Sequence, residues 1–175
     1  MSGLALESIP EETQMNKQKG FSLIELLIVV AIILIIAAIA IPNLMRSKMA
    51  ANESSAVGSL RTINTAEVTY NTNYPTVGFT GTLSQLGGTP ATCATATGAT
   101  STTACLIDNV LAQGTKSGYN FVVGGTSGTP AVTYTSSATP VAPGQSGQRY
   151  FCSDQSGVLY FNLTAVCTAA NGTPL

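Results

Sequence analysis

From Leu26 to Ile41 the chain runs through 16 consecutive apolar residues. Counted from Phe21, the stretch is 21 residues long, about 31 Å as an α-helix, which matches a bilayer's hydrocarbon core. Beyond it the helical period persists while the composition changes. Met49, Ala56, Val57, Leu60, Ile63, Ala66 and Tyr70 recur at helical spacing, with Glu53, Ser59, Arg61 and Asn64 between them. That alternation predicts an amphipathic continuation over 43–70, one face buried and one wet. A single helix from Phe21 to Tyr70 would be roughly 75 Å long. Pro42 interrupts the run. Its ring clashes with the carbonyl of Ala38 and it has no amide hydrogen, so a kink or local loosening is expected near residue 40.

Residues 71–117 read as loop. Asn73-Tyr74-Pro75 and Gly87-Gly88 are turn signals, short helical turns are expected near Leu83–Leu86 and Ile107–Ala112, and Thr89 to Ala104 is almost wholly Thr and Ala. After Ser117 the period drops to two. Tyr119, Phe121 and Val123 alternate with Asn120 and Val122, and Val132 and Tyr134 with Thr133 and Thr135. Gln148–Cys152 and Val158–Leu163 flank a hairpin turn over 153–157. Four short strands over 118–163 predict one antiparallel sheet with a face packed on the amphipathic helix. The fold class is therefore α+β: a long, kinked N-terminal helix on a small antiparallel sheet, with the globular head over 71–175.

Composition sharpens this reading. Apolar residues make up 45% of the chain, but they concentrate in the N-terminal run, and the remainder is rich in Gly, Thr, Ser and Ala, so the core is expected to be thin. Tyr70, Tyr74, Tyr119, Tyr150 and Tyr160 are expected to supply buried area at the helix–sheet interface. Charged residues are 9% and net charge is -1, which argues against nucleic acid as a direct partner. Four cysteines, Cys93, Cys105, Cys152 and Cys167, occur without a CxxC pair, which suits disulfides in an oxidising compartment better than zinc. The spacing leaves three connectivities open. The preferred one joins Cys93 to Cys105 and Cys152 to Cys167, closing two short loops worth roughly 3 kcal/mol each.

The stretch Lys19-Gly20-Phe21-Ser22-Leu23-Ile24-Glu25-Leu26-Leu27 carries the functional signal. Glu25 stands near the start of a strongly apolar segment, where a carboxylate costs on the order of 2.5–3.5 kcal/mol if central and less near the interface. The bland alternative is an ordinary anchor whose Glu25 reaches the headgroups. Lys17 and Lys19 before the run favour a cytoplasmic N-terminus, although Arg46 and Lys48 follow it.

This stretch resembles the prepilin signal of the type IV pilin and type II secretion pseudopilin superfamily. The resemblance implies a leader over 1–20, cleavage after Gly20, N-methylation of Phe21 as the new first residue, and Glu25 as the hallmark fifth residue. Pro42 with Asn43-Leu44 also fits. It implies a transmembrane and assembly helix over 21–42, a homo-oligomeric helical filament, and storage in the inner membrane with the head periplasmic before the fibre reaches the cell surface. A prepilin peptidase and methylase are the implied direct partners, with an assembly ATPase and a platform protein acting indirectly. The implied disulfide loop, Cys152 with Cys167, is displayed on the fibre. A 20-residue leader is long for this family, and Met15-Asn16-Lys17-Gln18-Lys19-Gly20 would be an ordinary one, which leaves Met15 as a candidate start of translation beside Met1. Cleavage would free an α-amino group at Phe21, cationic near neutral pH, which Glu25 of a neighbouring subunit can meet.

Rival readings are weaker. Ala38-Ile39-Ala40 looks like a signal-peptidase site, but the apolar run is too long for such a signal. An anchored periplasmic binding domain explains the length and not Gly20-Phe21 with Glu25. The chain has no histidine to serve as a general base, no catalytic set is visible, and no enzyme activity, metal or cofactor is expected. Gly114-Thr115-Lys116-Ser117-Gly118 lacks the first glycine of a phosphate loop, Asn109 standing in its place, and reads as a turn. Asp108 and Asp154 are too few for a calcium site.

Overall fold

A computed structural model describes residues 20–94 and 99–175. The expected leader, Met15 and Lys19 included, lies outside the described residues except for Gly20, and so does part of the Thr/Ala-rich stretch. The chain divides into two units, Met1–Ala40 and Ile41–Leu175. Helix α1, Leu23–Asn73, contributes to both and runs on through Pro42.

In the first unit α1 is apolar apart from Glu25, and every residue but the partly covered Ala37 is exposed. In the second it is amphipathic. Ala56, Leu60, Ile63 and Tyr70 are fully buried and Ala66 nearly so, a stripe at spacings of three and four that one helix face must present. Burying a residue such as Leu60 or Ile63 contributes about 1.5–3 kcal/mol. The helix ends just before Pro75, which disfavours helical geometry at Tyr74.

Three single-turn helices follow: α2 (Leu83–Leu86), α3 (Pro90–Cys93) and α4 (Asn109–Ala112). In α3 the Thr89 side chain caps Thr92 N–H, and in α4 Asp108 caps Leu111 N–H, the usual answer to unpaired amides at a helix start. The sequence reading anticipated turns at α2 and α4 and missed α3, whose Thr-Pro start is a helix-entry signal.

The sheet has six strands where four were expected. They are β1 (Thr115–Lys116), β2 (Tyr119–Ser127), β3 (Thr133–Pro140), β4 (Tyr150–Asp154), β5 (Leu159–Asn162) and β6 (Thr173–Pro174). All neighbours pair antiparallel in chain order. The two unexpected strands are two-residue edges, too short to show a period and well suited to blunting a sheet edge. Register sorts the faces. Phe121, Ala138, Phe151 and Phe161 pair in one row, and Val122, Ser137, Cys152, Tyr160 and Pro174 in the next. The first row belongs to the core with α1.

That register corrects the aromatic assignment. Tyr70 and Tyr119 are buried as expected, but Tyr150 and Tyr160 are only partly buried and occupy the opposite face from Phe151. Phe151 and Tyr134 take the buried places instead. Side chains alternate strictly along a strand, so one inward phenylalanine sends both neighbours outward.

Two acids of α1 lie inside this unit. Glu53 accepts hydrogen bonds from the backbone N–H of Gln148 (2.9 Å) and Arg149 (3.2 Å) and from Arg149 Nε (2.7 Å). Burial acts to raise its pKa, but these bonds and the Arg149 charge outweigh it and hold the carboxyl below its ordinary value. Glu67 has no cation beside it, and burial pushes its pKa up to about 7 against a single bond from Thr80.

Candidate functional site

Gly20 and Phe21 precede α1 in exposed chain outside any helix or strand, with Phe21 76% exposed. Ser22 is the first residue tied into the helix: its carbonyl accepts from Leu26 N–H at 3.1 Å. Glu25 then sits in the first turn, where the helix dipole favours an anion. Its Oε2 accepts from the backbone N–H of Ser22 at 3.4 Å. Ser22-Leu23-Ile24-Glu25 thus has the Ser-x-x-Glu pattern in which the acid reaches back to cap the residue that opens the helix. The spacing alone carries the signal for this local role.

The bond is long, and no cation meets Glu25 among the described residues, whose ion pairs are Glu53–Arg149 and Lys116–Asp108. Around it Leu23, Ile24, Leu26, Leu27 and Ile28 are all more than half exposed. The whole apolar window of α1 is unburied within the chain itself, and it is long and apolar enough to cross a membrane. So much uncovered apolar surface requires lipid or another protein surface. The arrangement brings an exposed glycine, an exposed phenylalanine and a carboxylate with only one weak partner to the start of an uncovered apolar helix.

The family described as the prokaryotic N-terminal methylation motif matches residues 15–41. The chain is 46% identical over 54 residues to a type IV major pilin protein PilA of Myxococcus xanthus, covering 31% of this chain and 24% of the relative. It is 58% identical over 40 residues to the type IV wide pilus major component PilA4 of Thermus thermophilus, covering 23% and 30%. It is 38% identical over 64 residues to the type II secretion system core protein G of Escherichia coli, covering 35% and 44%. Over its N-terminal segment the chain carries this motif and is similar there to type IV pilins and type II secretion pseudopilins. The matched segments span less than half the length of each of these relatives, and no solved structure matches this pilin-like chain.

The remaining sequence-predicted residues fall elsewhere. Pro42 lies within α1. In the head, Cys93 is bonded to Cys105 and Cys152 to Cys167, the latter pair nearly buried. Lys116 and Ser117-Gly118 form the β1–β2 hairpin, with Ser117 and Gly118 at positive φ, and Lys116 pairs with Asp108 at 2.9 Å. Asp154 accepts from Ser156 N–H in the β4–β5 turn, as an aspartate commonly does there. None of these joins the N-terminal cluster.

Proposed function

We propose that this chain is the structural subunit of a type IV pilus, not an enzyme. It is cleaved after Gly20, held in the inner membrane by 21–42 with its head periplasmic, and polymerised through α1 into a surface fibre for adhesion, motility or DNA uptake. The observation that carries this reading is Glu25: a carboxylate without a cation, at the head of an uncovered apolar helix, directly after a Gly20-Phe21 junction. Cleavage creates the missing cation at Phe21, and pairing with a neighbour's carboxylate offsets the cost of both charges in an apolar fibre core while fixing the axial register. Prepilin peptidase and methylase, an assembly ATPase and a platform protein follow as partners.

The outward face of α1 in the head supports assembly as well. Gly58, Thr62, Thr65 and Thr72 are exposed and Thr69 partly so. Each of these four threonine hydroxyls donates to the carbonyl four residues back, at 2.8–3.1 Å. With the hydroxyls satisfied within the helix, the face presents methyl groups at spacings of four and three, so a second helix can cover it with little desolvation cost.

A second reading is a pseudopilin of type II secretion. The similarity to core protein G in Escherichia coli and Aeromonas hydrophila, over 35–36% of this chain, favours it. Shearing cells that express the chain and weighing the recovered subunit tests both. Fibres of a subunit beginning at an N-methylated Phe21 support the pilus. Lost exoprotein secretion with no fibres supports the pseudopilin. A mature chain that retains residues before Phe21 overturns the processing step common to both.

A further inference from the structure

Helix α1 buries a second carboxylate that no cation meets. Glu67 is 0% exposed. Its Oε2 accepts one hydrogen bond, from Thr80 N–H at 3.0 Å, and its Oε1 has no partner among the described residues. The titratable groups that feel it are the phenols of Tyr70 on α1 and Tyr134 on β3, and burial raises both above their ordinary range. Their hydroxyls are committed elsewhere, Tyr70 to the Ser101 carbonyl at 2.6 Å and Tyr134 to Asn64 Oδ1 at 3.1 Å. Asp154 acts on Tyr134 with the same sign. The segment over 77–82 brings no titratable side chain. Among the described residues no cation therefore offsets the burial of Glu67, and a buried carboxylate without a counter-charge is unfavourable.

What Glu67 holds is specific. Thr80 is 1% exposed, and its hydroxyl meets Gln85 Oε1 and accepts from Thr82 N–H. Phe79 N–H donates to the Ala131 carbonyl at 3.0 Å, and the Phe79 ring lies 4.9 Å from that of Tyr134. Directly after this segment comes α2. The carbonyls of Gln85, Leu86 and Gly87 accept from Ala104, Leu106 and Cys105 N–H, so the Cys93–Cys105 loop is held by the chain that Glu67 fastens.

We propose that Glu67 is a proton-controlled latch: as the neutral acid it closes segment 77–82 on α1, and as the carboxylate it loosens that segment and the disulfide loop next to it. Opening exposes the carboxyl to water, where it regains its ordinary acidity, so each rise in pH favours the open form until the buried group also ionises.

Backbone amide exchange on the full chain in detergent micelles tests this, expressed as protection relative to the intrinsic rate at each pH. The protection of Phe79 and Thr80 should fall about tenfold between pH 6 and pH 8, while Phe121 and Phe151 in the sheet hold theirs. In Glu67→Gln, which keeps an acceptor for Thr80 and cannot ionise, the fall should disappear. Equal pH dependence in wild type and variant would overturn the latch. If the variant does not fold, the wild-type protein still decides: a Glu67 carboxyl resonance that titrates near 4.5 overturns the proposal, and one near 7 sustains it.

Discussion

Glu53 and Arg149 are 96 residues apart in sequence and 2.7 Å apart in space. The clamp fastens the start of β4 to α1, because the other carboxylate oxygen takes the amides of Gln148 and Arg149. The Arg149 guanidinium also lies over the rings of Phe151 (5.3 Å) and Phe161 (5.7 Å), which adds a cation–π attraction.

Glu53→Ala should therefore lower head stability by roughly 2–4 kcal/mol, since it strands two backbone amides and a guanidinium together. Arg149→Ala should cost less, because the backbone amides still bind the carboxylate and Arg149 is about one-third exposed. The Glu53 pKa is depressed on folding, so its contribution is present above the unfolded value of 4.5 and is lost as pH falls through the folded value. Urea unfolding at pH 7 and pH 3 would measure this. A loss in Glu53→Ala that is the same at both values contradicts the assignment.

Glu67 has the opposite sign. Its pKa rises from 4.5 to about 7 on folding, so its contribution is complete below 4.5 and is lost as pH climbs through 7. Glu67→Gln should be more stable than wild type at pH 8, on the order of 2–3 kcal/mol, with the gap closing near pH 4. Thermal melts of the two proteins across that range check it. A variant less stable than wild type at pH 8 would falsify the buried-acid account.

Much of this was legible in the sequence. Long periodic segments identified themselves: the uninterrupted apolar run and the Leu60, Ile63, Tyr70 stripe require a helix, and Tyr119-Phe121-Val123 requires a half-buried strand. Short pieces did not. β1 and β6 have two residues each, and only tertiary pairing makes them strands. The partners of Glu53 and Glu67 were unreadable for a related reason, since apart from the Arg149 guanidinium they are the backbone amides of Gln148, Arg149 and Thr80, and amides have no sequence signature. The Ser22–Glu25 cap was readable from spacing alone and was masked by the stronger signal of a carboxylate in an apolar run.

Removing Cys152 and Cys167 together, as Cys152→Ser with Cys167→Ser, should lower head stability by about 3 kcal/mol, as expected for a closed loop with a sequence separation of 15. Both residues are 3% exposed, so the serine hydroxyls also meet a desolvation cost. The Cys93–Cys105 loop, with a separation of 12, should be worth a similar amount by chain entropy, but Cys93 is exposed and Cys105 only partly buried. Guanidinium unfolding of the two double variants should therefore show the Cys152/Cys167 pair as the more damaging. The reverse order would mean that the C-terminal loop contributes little beyond its covalent closure.

Glu25 has two candidate roles, and they separate by substitution. As a helix cap it needs only an acceptor oxygen for Ser22 N–H, which glutamine supplies. As the counter-charge for a neighbour's Phe21 amine it needs its negative charge, which glutamine lacks. Glu25→Leu removes both. If capping were the whole role, Glu25→Gln would assemble like wild type and Glu25→Leu would lose about 1 kcal/mol of helix stability. If the pairing sets assembly, both variants should yield at least about tenfold less sheared fibre at equal membrane levels, since even 1.4 kcal/mol at each subunit contact is tenfold in its equilibrium constant. Quantifying cleaved subunit in membrane and sheared fractions distinguishes these outcomes. Normal fibre yield from Glu25→Gln would reduce the carboxylate to a local cap.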